Sequence, residues 1–146
     1  MKLYVLHGIN LDQLGQRQPE IYGAQTLSDQ LPIWEAWLEK SWPGNSIEAL
    51  QFNDEDVLVR FMQEVDGHGV GFVLNPGAWT HQSLPIRDAV AGLTAPVMEV
   101  HLSHTYAREA FRRVSLLAPY TQGSLSGLGW LGYRFAMEAL ILRASH

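Results

Sequence analysis

Glu99 and His101 lie two residues apart in the apolar segment 96–104. On a strand, residues at that spacing share one face, so the carboxylate can orient or charge the imidazole. A second apolar segment, 70–74, ends at Asn75. Short apolar runs bounded by glycine and proline are typical of strands buried in a parallel sheet, and open α/β sheets place ligand sites at the carboxyl ends of their strands. The pattern therefore predicts an active site where these two strands end.

Basic side chains follow the segment 96–104. Arg108 and Arg112 are four residues apart, which predicts one face of a short helix over residues 106–113. The formal net charge of the chain is -5, which argues against a general nucleic-acid binder. A basic site in an acidic chain favours a pocket for a small anionic metabolite.

Tyr22 and Arg17 lie in the long segment 7–23, which has three glycines and a proline. Loops of this length are uncommon in compact domains and tend to be lids or binding loops, although a solvated connector remains the alternative. A tyrosine is a poor base at neutral pH because its unperturbed pKa is about 10. Nearby arginines favour the phenolate, so Arg17 and Arg108 are informative beside Tyr22. His81, His101 and Glu99 are further candidates for proton transfer.

Several function classes lack their central groups. The chain has no cysteine, which removes disulfides and thiolate zinc sites, and His101 with His104 makes a weak metal site. No Gly-x-Gly-x-x-Gly follows the first strand, and no Gly-x-Ser-x-Gly elbow is present. We therefore predict neither metal nor cofactor. We also expect no signal peptide, no membrane span and a cytoplasmic location.

Strand and helix patterns alternate along the chain. Strands are predicted at 3–6, 47–52, 70–74 and 97–102, with a weak, polar fifth at 123–126. Thr26 begins a capping box, and Pro32 predicts that the following helix either starts late or kinks. Ser83 caps a later helix, and the last helix covers about 130–143. Five βα units predict one α/β domain over 1–146, a three-layer sandwich with a flavodoxin-like or Rossmann-like doubly wound parallel sheet.

Six motifs resemble those of type II 3-dehydroquinate dehydratases, in order and over nearly the whole chain. They are His7-Gly8-Ile9-Asn10-Leu11-Asp12-x-Leu14-Gly15-x-Arg17-x-Pro19-x-x-Tyr22-Gly23, Asn75-Pro76-Gly77-Ala78-Trp79-Thr80-His81-x-Ser83, Arg87-Asp88, Glu99-Val100-His101-Leu102-Ser103, Ala107-Arg108-Glu109-x-Phe111-Arg112 and Gly127-Leu128-Gly129-x-x-Gly132-Tyr133. The resemblance implies a flavodoxin-like fold and a lyase that removes water from 3-dehydroquinate to give 3-dehydroshikimate. It places the protein in the shikimate pathway of aromatic amino acid biosynthesis or in quinate metabolism.

The resemblance also implies a mechanism, a trans elimination through an enolate that uses no metal and no Schiff base. Tyr22 would be the base that takes the C2 proton, held as phenolate by Arg17 and Arg108. His101, oriented by Glu99, would be the acid that protonates the departing hydroxyl.

Binding roles are implied in the same way. Asn10 would help to stabilise the enolate, through water. Asn75 and Ser103 would hold the substrate carboxylate, and His81 and Arg112 the ring hydroxyls. The complete substrate-binding set that the resemblance implies is Asn75, His81, Asp88, Leu102, Ser103 and Arg112. Asp88 would reach the site of a neighbouring subunit in a dodecamer built from trimers.

The first loop departs from the family pattern. His7 and Ile9 stand where Asn and Pro are usual, and Asp12 stands for an Asn. Ile9 could loosen the loop that holds Asn10, and Asp12 adds a negative charge near an anionic substrate. The other departures are Gln18, Pro32, Trp79 and Val114. A catalytically impaired paralogue that binds a related polyol acid is therefore the alternative, and a flavin or nucleotide binder rests on fold analogy alone.

Overall fold

Five strands form one parallel sheet in the order β2-β1-β3-β4-β5. The strands are β1 (Lys2–His7), β2 (Ser46–Gln51), β3 (Val70–Asn75), β4 (Val97–His101) and β5 (Gly123–Ser126). The computed structural model describes residues 1–16 and 18–145. The strand order is that of a flavodoxin-like doubly wound sheet, so the predicted fold class is confirmed. The weak fifth strand also forms, because Gly123 to Ser126 pair in register with β4.

Helices cover both faces of the sheet: α2 (Leu27–Ser41) and α5 (Leu131–Ala144) on one, α3 (Glu55–Val65) and α4 (Leu84–Gly92) on the other. Side chains alternate between faces along each strand, which gives two separate buried cores. Val5 and Val73 belong to the α2–α5 core, whereas Leu6 and Leu74 belong to the α3–α4 core. The residues at the ends of these strands continue the same alternation between the two faces of the sheet.

The helices begin at the caps that the sequence contains. Thr26 and Asp29 form a complete capping box, and α2 starts directly afterwards at Leu27. Of the two predicted alternatives, the late start is therefore wrong. Pro32 lies inside the helix, and a kink there stays a prediction. Ser83 accepts a hydrogen bond from the backbone of Ile86 and caps α4. Within the described residues, no helix is long and apolar enough to cross a membrane.

The predicted helix over 106–113 does not form. Two 3-10 turns, Thr105–Ala107 and Ala110–Arg113, replace it, and Arg108 between them is extended (φ -108°, ψ -162°). The extended backbone lets the Arg108 guanidinium reach groups outside its own segment, a tertiary effect that helical spacing does not record.

The segment between β1 and α2 contains short ordered pieces. A 3-10 turn covers Leu11–Gln13, and the one-turn helix α1 covers Pro19–Tyr22. Pro19 suits the first turn of a helix, where its missing N–H costs nothing. Tyr22 is thus the last residue of α1. Further 3-10 turns are Gly77–His81 and Ala118–Tyr120.

Candidate active site

A cleft of about 540 Å³, partly open to solvent, lies where β1, β3 and β4 end. This is the carboxyl edge of the sheet, beside the switch point between β1 and β3 where doubly wound folds bind ligands. Of the twelve predicted site residues, nine line the cleft: Asn10, Tyr22, Asn75, His81, His101, Leu102, Ser103, Arg108 and Arg112.

The histidine side of the cleft consists of His101, Glu99, Thr80 and Ser115. Glu99 Oε2 lies 2.6 Å from His101 Nε2, and the two side chains share one face of β4 as predicted. Glu99 is 1% exposed and accepts two more hydrogen bonds, at 2.6 Å from Ser115 Oγ and 3.3 Å from Thr80 Oγ1. A carboxylate only accepts, so Nε2 carries a proton and Nδ1 is the ring nitrogen available for a ligand.

The tyrosine side consists of Tyr22, Arg108 and Ser103. Arg108 Nη1 donates to Tyr22 Oη at 2.9 Å and to Ser103 Oγ at 3.1 Å. The Arg108 Cζ atom lies 5.2 Å from the centroid of the Tyr22 ring, within the range of a cation–π contact. The Arg108 guanidinium thus places a positive charge against the Tyr22 oxygen and helps to fix its position. These three side chains come from α1, the extended residue between two turns, and the residues after β4.

The loop after β1 places Asn10 in the cleft. Asn10 has a left-handed backbone (φ 66°), and its N–H donates to Asn53 Oδ1 at 3.0 Å. Gly8 N donates to Asn75 O at 2.7 Å, and a Cβ at Gly8 would lie 2.4 Å from Pro76 O. The close approach of the two loops therefore needs glycine at this position.

Two departures of the first loop have defined surroundings. Ile9 lines the cleft beside Asn10. The Asp12 carboxylate lies outside the cleft lining, where its Oδ2 accepts from Asn53 Nδ2 at 3.1 Å. Asn53 thus contacts both Asn10 and Asp12. The hydrogen bonds of its side chain hold the loop against the end of β2.

Asn75 enters the cleft from the end of β3, in register with His7 of β1. Its Oδ1 accepts from Gly77 N at 3.1 Å, and its Nδ2 lies 2.7 Å from Tyr133 Oη. Tyr133 Oη in turn lies 2.7 Å from His7 Nε2. The family departure at position 7 is therefore buried directly behind a predicted binding residue.

His81 and Arg112 also line the cleft, and the centroid of the His81 ring lies 6.5 Å from that of the His101 ring. His81 Nδ1 lies 2.7 Å from the carbonyl oxygen of Val114, which can only accept, so His81 presents Nε2 to a ligand. Arg112 pairs with Glu109, and this hydrogen bond holds the pKa of the Glu109 carboxyl below its usual range. With Arg108, Arg112 makes the cleft suitable for an anion.

Two of the predicted site residues that the structure describes are not in the cleft lining. Glu99 lies behind His101. The Asp88 side chain is 70% exposed on α4, where it pairs with Arg87 at 2.7 Å. Arg17 lies outside the described residues.

Two residues that contact Glu99, Thr80 and Ser115, were not predicted from the sequence. Thr80 lies in the motif that begins at Asn75, next to His81, and this position could have indicated a role in the site. Ser115 follows the arginine segment without any periodic pattern, so no sequence signal pointed to it. In residues 1–16 and 18–145, no group of three or more His, Asp or Glu side chains is arranged to hold a metal ion.

Comparison with known proteins agrees with the fold. The family described as dehydroquinase class II matches residues 1–141. The 3-dehydroquinate dehydratase of Herpetosiphon aurantiacus is 47% identical over 146 residues, covering 99% of each chain. That of Deinococcus radiodurans is 46% identical over 142 residues, covering 94% of this chain and 96% of the relative.

A solved structure gives the same result. The crystal structure of type II dehydroquinase from Butyrivibrio crossotus superimposes with a TM-score of 0.90 at 35% identity, covering 97% of each chain. A doubly wound sheet with an anion-suited cleft of tyrosine, histidine and arginine defines an α/β enzyme. The chain belongs to the class II dehydroquinase family, whose members are hydro-lyases.

Proposed function

We propose that this protein removes water from 3-dehydroquinate to give 3-dehydroshikimate, as the names of its relatives indicate for those proteins. One observation carries the proposal. A tyrosine held by Arg108 and a histidine held by Glu99 line the same cleft, which is the pairing that a proton abstraction and a proton donation require.

Tyr22 takes the proton from C2 of the substrate. The hydrogen bond from Arg108 supports the phenolate form, since its positive charge lies directly against the oxygen. Arg17 keeps the same predicted role from the resemblance. Loss of the C2 proton moves an electron pair toward the neighbouring ketone and gives an enolate. Asn10, in the cleft wall, stabilises the enolate oxygen through a water molecule.

His101 then protonates the departing hydroxyl, and the bond from carbon to oxygen breaks. The enolate electron pair forms the new double bond, and one water molecule leaves. Glu99 supports this step because it fixes the orientation of the ring and stabilises the imidazolium from which the proton comes. For the next turnover, Tyr22 must lose one proton and His101 must gain one, so no net proton is consumed.

The remaining cleft residues hold the substrate. Asn75 and Ser103 bind its carboxylate, His81 and Arg112 bind ring hydroxyls, and Leu102 is a further binding residue in the cleft wall. The arginines of the wall support the choice of an acid as substrate, because each can neutralise part of its charge. The chain acts as a single catalytic domain over residues 1–146.

Asp88 supports a homo-oligomer. Its side chain is 70% exposed and lies outside the lining of its own cleft, so a role in binding requires the cleft of a neighbouring subunit. A dodecamer built from trimers is the assembly that the resemblance implies. The mass in solution, measured by light scattering, tests it, since a monomer at working concentration would contradict this role. The cytoplasmic location remains a prediction.

The decisive experiment is conversion of 3-dehydroquinate to its ultraviolet-absorbing conjugated enone with a metal chelator present. We expect turnover by the unaltered protein and almost none by Tyr22→Phe, with Tyr4→Phe as the matched control on β1. Substrate binding without turnover would instead establish the impaired paralogue, for which the departures at His7 and Ile9 speak.

A further inference from the structure

Three buried side chains, joined by hydrogen bonds, connect the core of the protein to the cleft. Asn75 is 3% exposed, and His7 and Tyr133 are each 0% exposed. Tyr133 Oη lies 2.7 Å from Asn75 Nδ2 and 2.7 Å from His7 Nε2. His7 and Tyr133 do not line the cleft, and the proposed mechanism does not use them.

The direction of each hydrogen bond among these three side chains can be derived. Gly77 N–H only donates, so the Asn75 atom 3.1 Å away is its oxygen, and the nitrogen faces Tyr133. The Tyr133 hydroxyl therefore accepts from Asn75 and has its own hydrogen to donate. Burial raises the pKa of Tyr133, so the phenol keeps that hydrogen. His7 Nε2 is the group placed to receive it.

His7 fits the role of acceptor. Burial lowers its pKa to about 3, so the ring is neutral and one of its nitrogens is an acceptor. With the acceptor at Nε2, the ring hydrogen lies on Nδ1, which is buried without a hydrogen-bond partner among the described residues. The opposite tautomer would leave two groups unsatisfied, His7 Nδ1 and the Tyr133 hydrogen, and is therefore the poorer arrangement.

We propose that Tyr133 and His7 are positioning residues that hold the Asn75 amide with its nitrogen toward the substrate carboxylate. The assignment rests on the proposed function. Asn75 Nδ2 carries two hydrogens: Tyr133 accepts one, and the other is left for the cleft that Asn75 lines. An amide rotated by half a turn would present its oxygen to the carboxylate and repel it.

Removal of the Tyr133 hydroxyl tests this directly. We expect Tyr133→Phe to raise KM for 3-dehydroquinate about tenfold with kcat within about threefold, since a misplaced amide weakens one hydrogen bond to a charged group. Tyr4→Phe should leave both constants unchanged. Circular dichroism and thermal melting establish that each variant is folded. An unchanged KM in a folded Tyr133→Phe would overturn the proposal.

A pair of substitutions at His7 separates positioning from packing. Gln has a side-chain oxygen that accepts a hydrogen bond, whereas Leu has none, so His7→Gln should keep a KM near that of the unaltered protein and His7→Leu should raise it. Equal KM values in the two folded variants would contradict the role of Nε2.

A double-mutant cycle provides the sharpest test. Because Tyr133 acts through Asn75, Tyr133→Phe should produce no further rise in KM when Asn75 is already replaced by Ala. The same fold-change in both backgrounds would overturn the proposal while the dehydratase function stands. Absence of turnover in the unaltered protein would instead overturn the proposed function, and this inference with it.

Discussion

The two sides of the cleft are built in different ways. On the histidine side, Glu99 is almost fully buried within the interior strand β4 and is fixed by three hydrogen bonds. On the tyrosine side, Tyr22 is partly exposed and Arg108 joins it to Ser103 through a single nitrogen. The sheet thus presets one side, whereas segments separated by 86 positions must meet to make the other. Apart from the two proton-transfer groups themselves, substitutions on the tyrosine side should mainly lower activity, and substitutions on the histidine side should mainly lower stability.

The largest effect should come from the two groups that move protons. We expect Tyr22→Phe and His101→Ala each to lower kcat about 10⁴-fold, because general acid–base catalysis contributes up to about that factor. If the sides act as one unit, the double variant should lose little more than the worse single variant. Steady-state assays with a sensitive enone readout measure this. If the losses in kcat of the two single variants multiply in the double variant, the two sides act independently.

Arg108 should be the next most sensitive position. We expect Arg108→Gln to lower kcat about 10²-fold, because the charge that favours the phenolate is lost while a polar side chain of similar length remains. Thermal melting should show almost no change, since Arg108 is partly exposed. Arg60→Gln is the matched control, because the Arg60 side chain is exposed on α3. A large fall in melting temperature with kcat preserved would reverse the comparison between the sides.

Ser115 should show the opposite behaviour. Ser115→Ala removes one donor to the buried Glu99 and the acceptor for the N–H groups of Leu117 and Ala118. We expect a loss of about 2–3 kcal/mol in the free energy of unfolding, measured with urea, because these buried groups lose partners. The effect on kcat should stay within about threefold, since Thr80 and His101 still hold the carboxylate.

The smallest predicted effect is on the pH dependence of stability, through His7 of β1. Burial lowers the pKa of His7 from 6.5 to about 3, so between these values the unfolded chain binds the proton that the folded chain rejects. Stability therefore rises with pH in this window and falls on acidification, by about 2 kcal/mol from pH 7 to pH 5 for this group. Urea unfolding of His7→Gln should lack that part of the slope, and the exposed His68→Gln should retain it. Parallel slopes in all three proteins would remove His7 as the source.

Periodic and local features of the sequence predicted well. The spacing of Glu99 and His101 predicted their common strand face. The capping box at Thr26 and the cap at Ser83 located two helix starts, and the apolar runs located the strands. These features depend on neighbours within a few residues, which is the range over which periodicity and capping act. The motifs likewise predicted the family, because their residues follow one another along the chain in the order in which they reach the strand ends.

The predictions that failed needed contacts between distant segments. A spacing of four suggested a helix for Arg108 and Arg112, yet Arg108 is extended where its guanidinium meets Tyr22 and Ser103. Ser115 carried no pattern at all, although it holds Glu99 as closely as His101 does. Neither outcome depends on local propensity, because tertiary hydrogen bonds outweigh propensity differences of about a few tenths of a kcal/mol per residue.

The sequence alone determined the alternation of strand and helix, the fold class, the family and most of the residues around the cleft, because each of these follows from local periodicity or from motifs. Only the tertiary structure decided which groups stand behind them: Ser115 and Thr80 behind Glu99, and Tyr133 with His7 behind Asn75. Such supports come from residues far apart in the chain, and the requirement that every buried polar group find a partner selects them.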